Sequence, residues 1–351
     1  MELGNFSLNL INGTTRQCDV TSRNGSLLPC TELYFSTSDI VDLTLIIIIF
    51  LLGVLGNGMV IWVLGFLMKR TDFTIYVLNL AVADFFNSAV LWASVPVMLM
   101  HNHWPFGRVF CKIDQFFSKL PLYAGVFLVV AICLERCCSV VSPLWYKCRR
   151  SQRLSAVICS LMWLLASLIS LPSLIWSETY QFEDKQICFV QDHNYVKVIT
   201  ASECVVGFLL PLILITSSSI IIIIKVTQES TVRSTKLYKT VLVTVLAFLI
   251  CWTPYQVSGL MHMIELLTSN NYKTLASIIA NYSSTLLYLN SCINPIIYIF
   301  MGGNLNKKFK ESLIIIFQRA FNETPSYDLG IKAKEAASLY KIQKFVSPLR
   351  N

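Results

Sequence analysis

Seven separate apolar stretches, each long enough to cross a bilayer, constrain this chain more than any other feature. They cover approximately 40–66, 73–100, 109–141, 154–176, 198–226, 237–267 and 275–300, and charges or turn residues bound them. A bilayer core takes about 20 apolar residues per helix. In hydrocarbon every backbone N–H and C=O must find its partner inside the segment, so long helices are the natural spanning form. The predicted fold class is therefore all-α, a seven-transmembrane helix bundle. Composition agrees, because 55% of the 351 residues are hydrophobic and only 14% are charged. The mean hydropathy of +0.61 argues against a soluble domain.

Loop charge gives the orientation. The connections after spans one, three and five carry Lys69, Arg70, Lys147, Arg149, Arg150, Arg153, Lys225, Arg233, Lys236 and Lys239. Basic loops stay in the cytoplasm. The longest of the other connections is mixed in sign, with Glu178, Glu183, Asp184 and Asp192. An odd number of spans then places the N-terminus outside and the C-terminus inside a cell membrane. The polar segment 1–38 fits the outside, since it carries glycosylation sequons at Asn5, Asn12 and Asn24 and lacks the apolar core of a cleavable signal. The seven-span membrane body is expected over 39–301. Beyond it, 302–320 places Leu305, Phe309 and Leu313 at helical spacing opposite Lys307, Lys308 and Lys310. That pattern predicts an amphipathic helix on membrane lipid. The polar remainder, 321–351, reads as a disordered cytoplasmic tail, with Thr324, Ser326, Ser338 and Ser347 as candidate phosphorylation sites.

Most of the twelve cysteines lie in spans and serve as small apolar residues. Cys111 and Cys188 fall on the oxidising side, where pairing is chemically open to them, and so do Cys18 and Cys30. The net charge of +8 is split among short inner loops, a membrane-topology pattern and not a nucleic-acid surface. The four histidines, His101, His103, His193 and His262, show no zinc-protease spacing, and nothing else points to an enzyme.

Ionisable and amide groups at membrane depth are costly and usually face the bundle interior. Asp84 in "LNLAVADFF", Asn57 in "LGNGMV", and Asn290 and Asn294 in "LNSCINPIIY" can supply one buried polar cluster. Such a cluster either holds a cation with its waters or bonds helices to one another. Pro211, Pro254 and Pro295 interrupt spans five, six and seven, where each removes a backbone hydrogen bond.

The ordered series of "GN" with Asn57, "LAVAD" with Asp84, Cys111, "ERC" with Arg136, Trp163, Pro211, "CWTP" from Cys251 to Pro254 and "NPIIY" from Asn294 to Tyr298 resembles the rhodopsin-like, class A G-protein-coupled receptors. The likeness covers nearly the whole chain. Within that superfamily, "ERCCSVVSPLWYKCRRSQRLSAVICSLMWLLA" and the segment after span seven resemble the Mas-related receptors, while "WPFGRVFCK" is similar to the formyl-peptide and other chemoattractant receptors.

The resemblance implies an extracellular peptide ligand, a heterotrimeric G protein of Gi or Gq type, and arrestin and receptor kinases as partners. It implies a disulfide between Cys111 and Cys188. No cofactor is implied, apart from an allosteric sodium ion held by Asp84, Asn290 and Asn294. Gly125 stands where that site usually offers a serine. Val126, Pro211, Phe248, Trp252 and Pro254 resemble the connector between ligand pocket and span six. Asn294, Pro295 and Tyr298 resemble the inward-turning switch of span seven, whose usual tyrosine partner on span five is replaced by Ser219. The expected ligand residues are Asp114, Ser118, Lys119, Glu203, Trp252, Tyr255, Gln256 and Tyr288. Lys119 and Glu203 either meet a charged ligand or satisfy each other.

Ser118 stands where amine receptors carry an aspartate, and span seven has no lysine for an opsin Schiff base. A transporter or channel would show internal repeats, which this chain lacks. A scavenging receptor that binds without coupling is the nearer alternative, because Glu135 and Cys137 replace the usual residues around Arg136. Glu135 and Arg136 close the sequence reading: a charged pair at the cytoplasmic end of span three is a resting-state clasp. Ser234 on span six offers no acid for a second one.

Overall fold

The computed structural model describes residues 37–301, apart from positions 69, 183, 191, 230, 231 and 269–272. The sequons Asn5, Asn12 and Asn24, the cysteines Cys18 and Cys30, the amphipathic segment 302–320 and the tail 321–351 lie outside the described residues. So do the side chains of Ser234 and Tyr298. The chain divides into two compact units, Met1–Asp42 and Leu43–Asn351. Of the first, the described part is the exposed opening of helix α1.

Helix α1 (Thr37–Trp62) ends in a π turn (Val63–Leu67), and α2 (Asp72–Ala89) runs through a 3-10 turn (Val90–Trp92) into the short α3 (Ser94–Leu99). The long α4 (Gly107–Val141) is followed by α5 (Pro143–Arg149) and α6 (Gln152–Trp176). Next come strands β1 (Glu178–Phe182) and β2 (Lys185–Phe189), then α7 (His193–Ser202), a π turn (Glu203–Leu209) and α8 (Leu210–Glu229). Helices α9 (Val232–Thr268) and α10 (Lys273–Met301) complete the order. Among the described residues, five segments are long and apolar enough to cross a membrane: Asp39–Leu67, Asp72–Leu99, Gly107–Val141, Gln152–Trp176 and Asn194–Lys225. The remaining two expected spans fall in α9 and α10, of 37 and 29 residues.

Local chemistry sets the helix starts. Thr71 and Thr74 form a reciprocal capping box at α2, the Thr74 hydroxyl accepting from the Thr71 N–H at 2.7 Å. Ser151 caps α6 by accepting from Leu154 N–H, Asp192 caps α7, and Pro143 supplies the preset φ at the first position of α5. Gly107 enters α4 at φ +74°, a left-handed conformation that glycine adopts without a Cβ penalty.

Helix α4 is the central post, packed against α2, α6, α8 and the hairpin. The main core gathers Leu80, Tyr123, Phe127, Ile215, Phe248 and Trp252 around it. The outer surface is the reverse of a soluble protein: Leu161, Leu164, Leu168, Ile213 and Ile250 are all exposed, as lipid-facing positions should be. Close approach of α1 and α2 depends on Gly53, where an added Cβ would fall 2.0 Å from Ser88 Oγ.

The hairpin is a two-stranded addition to the all-α class that the apolar periodicity did not foretell. Its strands are antiparallel, with Thr179 opposite Cys188. Cys188 is disulfide-bonded to the buried Cys111 of α4 across a Cα–Cα distance of 5.6 Å, the pairing that the resemblance implied. Trp104 N–H donates to Gln186 C=O at 2.8 Å, and Lys185 Nζ donates to His101 C=O at 2.9 Å, which ties the hairpin to the turn before α4.

Candidate functional site

The charged groups of spans three and five meet inside the bundle, at the hairpin end. Lys119 Nζ on α4 lies 2.7 Å from Glu203 Oε1, the first residue of the π turn that precedes α8. Lys119 also donates to the Tyr255 hydroxyl of α9 at 2.9 Å, and that hydroxyl donates to Glu203 Oε2 at 3.2 Å. Lys119 and Glu203 therefore satisfy each other, with Tyr255 as the third member and α4, α8 and α9 tied at one point. Both side chains are largely out of solvent, at 20% and 11% exposure, where neither charge is tolerable alone.

Also on α9, the buried Nε1–H of Trp252, one turn deeper than Tyr255, and the buried Nε2–H of Gln256, the residue after Tyr255, have no acceptor among the described residues. Buried donors without acceptors carry a desolvation cost of about 1–3 kcal/mol each. Tyr288 of α10 lies beside Ser118 and in the field of Lys119 and Asp114. Asp114 is half-buried and forms no ion pair among the described residues. Every residue expected to line a ligand cavity is thus on α4, α8's π turn, α9 or α10.

The rim is held by a second charged set. Arg108 Nη2 donates to Glu178 Oε1 at 2.7 Å, and Lys112 Nζ lies 2.9 Å from the same carboxylate while donating to Ile175 C=O. The hydrogen bonds from Arg108 and then Lys112 hold the Glu178 carboxyl down at about 2.

The π turn and Pro211 share a cause. Proline cannot donate to the carbonyl four residues back and crowds it, so the helix widens just before residue 211. Gly207 within that turn faces Tyr123: a Cβ there would lie 2.7 Å from the ring. Below it, Phe208 stacks on Phe248 at 5.9 Å between ring centroids, and Phe248 on Trp252 at 5.5 Å. Val126 belongs to the same core cluster, and Pro211 is buried.

Mid-bundle, Asn294 Nδ2 donates to Asp84 Oδ2 at 2.8 Å. Asn87 Nδ2 donates to Ser291 Oγ at 3.0 Å, and Asn57 Nδ2 donates to Ser291 C=O at 3.1 Å. A cavity of about 20 Å³ is lined by Asp84, Asn87, Gly125, Asn290, Ser291 and Asn294 among others. That is room for one occupant of water size. The Asn87 side-chain carbonyl oxygen is buried with no hydrogen-bond donor among the described residues, so it adds an oxygen to the set that Gly125 depletes.

At the opposite end, Glu135 is not reserved for Arg136. Its Oε1 accepts from the Tyr146 hydroxyl of α5 and lies 3.9 Å from Arg150 Nη2. Arg136 Nε stands 3.7 Å from Glu135 Oε2, an ion pair without a hydrogen bond, and its guanidinium lies over the Phe73 ring at 3.6 Å. Arg150 pairs with Asp72 of α2. The expected two-residue clasp is therefore a cluster of six groups. Sequence reasoning missed Phe73, Asp72, Tyr146 and Arg150 here, and Asn87 and Ser291 above. Asn87 and Ser291 left a signal, each three residues from an expected member, Asp84 and Asn294, on the same helix face. Ser219 donates to Ile215 C=O of its own helix.

A model of the seven-transmembrane receptors of the rhodopsin family matches residues 56–298. The chain is 32% identical over 346 residues to the C3a anaphylatoxin chemotactic receptor of Oncorhynchus mykiss, covering 96% of this chain and 94% of that one. It is 34% identical over 294 residues to N-formyl peptide receptor 3 of Homo sapiens, covering 79% and 83%. It is 32% identical over 292 residues to chemerin-like receptor 1 of Mus musculus, covering 78% of each. These relatives match the chemoattractant half of the resemblance and leave the Mas-related half aside. The chain belongs to the rhodopsin family of seven-transmembrane receptors, multi-pass membrane proteins that act as receptors and not as enzymes.

Proposed function

We propose that this receptor binds a peptide bearing charges of both signs at its hairpin end and passes the signal to a heterotrimeric G protein at its α5 end. The observation that carries the reading is the buried Lys119–Glu203–Tyr255 cluster; Trp252 lies one turn beneath it, Gln256 beside Tyr255 and Asp114 above, and among the described residues the Trp252 and Gln256 donors have no acceptor and Asp114 has no ion pair. A ligand cation would meet Asp114 and then compete with Lys119 for Glu203. A ligand carboxylate or carbonyl would supply the acceptor that Trp252 and Gln256 lack. The names of the relatives, a formyl peptide receptor among them, favour the same class. The hairpin end is the outside and the α5 end the cytoplasm, because Arg149, Arg150 and Arg153 cluster at the latter.

Signalling is a shift between bundle states and needs only a ligand that prefers the active one. Arrestin and receptor kinases are read as partners of the same cytoplasmic face. Asp84, Ser291, Asn294 and the Asn87 carbonyl would hold a sodium ion, which would supply a positive charge opposite Asp84 and so favour the resting arrangement.

The test is expression in cells with a library of short peptides, recording G-protein dissociation beside arrestin recruitment. A response abolished by Arg136→Ala at unchanged surface expression supports the reading, and the responding Gi or Gq sensor names the transducer. Ligand uptake with no G-protein response identifies a scavenger instead.

A further inference from the structure

The ligand cavity does not account for a cleft of about 440 Å³ on the outside of the bundle. Its floor is α4 and its walls are α6 and α8. Both walls pack on α4, yet no extensive packing joins α6 to α8 among the described residues. The cleft is what that divergence leaves. Leu134, Leu154, Leu165 and Leu210 line it and are themselves exposed, so it opens sideways to the lipid-facing surface and not to the ligand mouth.

Three properties of the cleft select its occupant. The volume lies within the range of about 300–1,000 Å³ that buries a ligand of some tens of atoms. Along α4 the lining runs from Phe127 to Cys138, roughly 16 Å at a helical rise of about 1.5 Å per residue. That is the hydrocarbon depth of one leaflet, about half of a 30 Å core. The wall is apolar on α4 from Phe127 to Leu134 and turns polar at the α5 end, where Asp72, Glu135, Tyr146, Arg149 and Arg150 line it. Arg150 is committed to Asp72 and Glu135. Arg149 forms no ion pair or hydrogen bond among the described residues, so it is a spare cation at the head of an apolar slot.

We propose that the α4–α6–α8 cleft is a binding site for an anionic glycerophospholipid of the adjoining leaflet, with one acyl chain in the slot and the head-group phosphate at Arg149. A sterol would leave Arg149 unanswered, and a soluble ligand would have to enter through hydrocarbon. The head group lies next to the Tyr146–Glu135 contact, so occupancy bears on the resting clasp. That consequence rests on the signalling reading, whereas the site itself does not.

The test uses the full chain in nanodiscs of phosphatidylcholine doped with a phosphatidylserine whose acyl chain carries a diazirine, followed by photolysis and peptide mapping. Both leaflets have the same composition, so the outcome is independent of orientation and of signalling. Labelling is expected on the peptides bearing Met162 and Leu165 and on that bearing Leu210, about fivefold above the matching phosphatidylcholine probe, as one cation at an anionic surface supplies. Arg149→Gln should remove the preference while leaving chain labelling, and Met162→Trp should block labelling at Leu210. Equal labelling by both probes, labelling of Ile250 on α9 as strong as that of the cleft, or stronger capture of a diazirine fatty acid would overturn the proposal. The probe comparison on the unmodified chain decides the matter even where Met162→Trp does not fold.

Discussion

Removing Lys119 should cost more stability than removing Lys119 and Glu203 together. In Lys119→Met the Glu203 carboxylate loses its cation and is left with neutral hydroxyls, Tyr255 at 3.2 Å and Tyr123 close by, at 11% side-chain exposure. A buried charge stripped of its partner costs about 3–5 kcal/mol, whereas an apolar replacement of the whole pair is close to neutral. The Lys119→Met/Glu203→Leu protein should therefore recover most of the loss, a coupling of about 3 kcal/mol or more. In a thermal scan the single variants should fall by an amount on the order of 10 °C. The natural reporters are the buried thiols of Cys133, Cys159, Cys204, Cys251 and Cys292, which a thiol-reactive fluorophore meets only on unfolding. Losses that simply add in the double variant would refute the reasoning, because independent sites add and a shared buried pair does not.

Glu135→Gln should raise ligand-independent G-protein activation at equal surface expression, and Tyr146→Phe should do so more weakly. A lost hydrogen bond to a charged group is worth about 1.5 kcal/mol or more, roughly tenfold in active-state population when the contact belongs to the resting state; unchanged basal activity in both would count against the clasp. Gly53→Ala should destabilise by about 1–3 kcal/mol through overpacking against Ser88, with Ser88→Gly restoring the thermal midpoint. Glu178 titrates in the folded chain at about 2, below its ordinary 4.5, so its anchor is fully present above pH 4.5 and is lost as pH falls from there toward 2. Amide exchange of the hairpin should thus stay flat between pH 5 and 8 once corrected for intrinsic rates, and protection should fall in the Glu178→Gln variant at neutral pH.

The membrane helices were legible because hydrophobic length is a one-dimensional property, and the order of Asn57, Asp84, Arg136, Trp252 and Asn294 placed the polar interior before any coordinates. Lys119 and Glu203 were legible as charges that either meet a ligand or satisfy each other, but not as one cluster with Tyr255. Their meeting depends on the π turn at 203–209, which aims Glu203 inward and follows from Pro211 only once the helix is built. The hairpin escaped notice because its strands, ETYQF and KQICF, are short and half polar with no sustained alternation, and the disulfide and the Glu178 anchor hold them more than their own pattern does. Tyr146 lies eleven residues beyond Glu135 and reaches it only because α5 folds back under α4, a turn for which no periodicity exists.

The same π turn would join the proposed ligand site to the aromatic stack of Phe208, Phe248 and Trp252. Phe248, Trp252 and Tyr255 are spaced four and three residues apart, so they form one stripe on α9. The turn touches this stripe twice, through Glu203 at Tyr255 and through Phe208 at Phe248. A ligand that draws Glu203 away from Tyr255 releases the upper contact while the aromatic stack still holds the lower one. The turn and α9 then have to shear or rotate about Phe208 and Phe248, in a core too closely packed to deform smoothly. Pro254, between Trp252 and Tyr255, is where α9 lacks a backbone hydrogen bond, so rotation there breaks the fewest contacts. On the proposed reading, the route from charge to helix motion needs no chain of distant couplings, since the turn makes both contacts itself, and the one at Glu203 is the one a ligand would exchange.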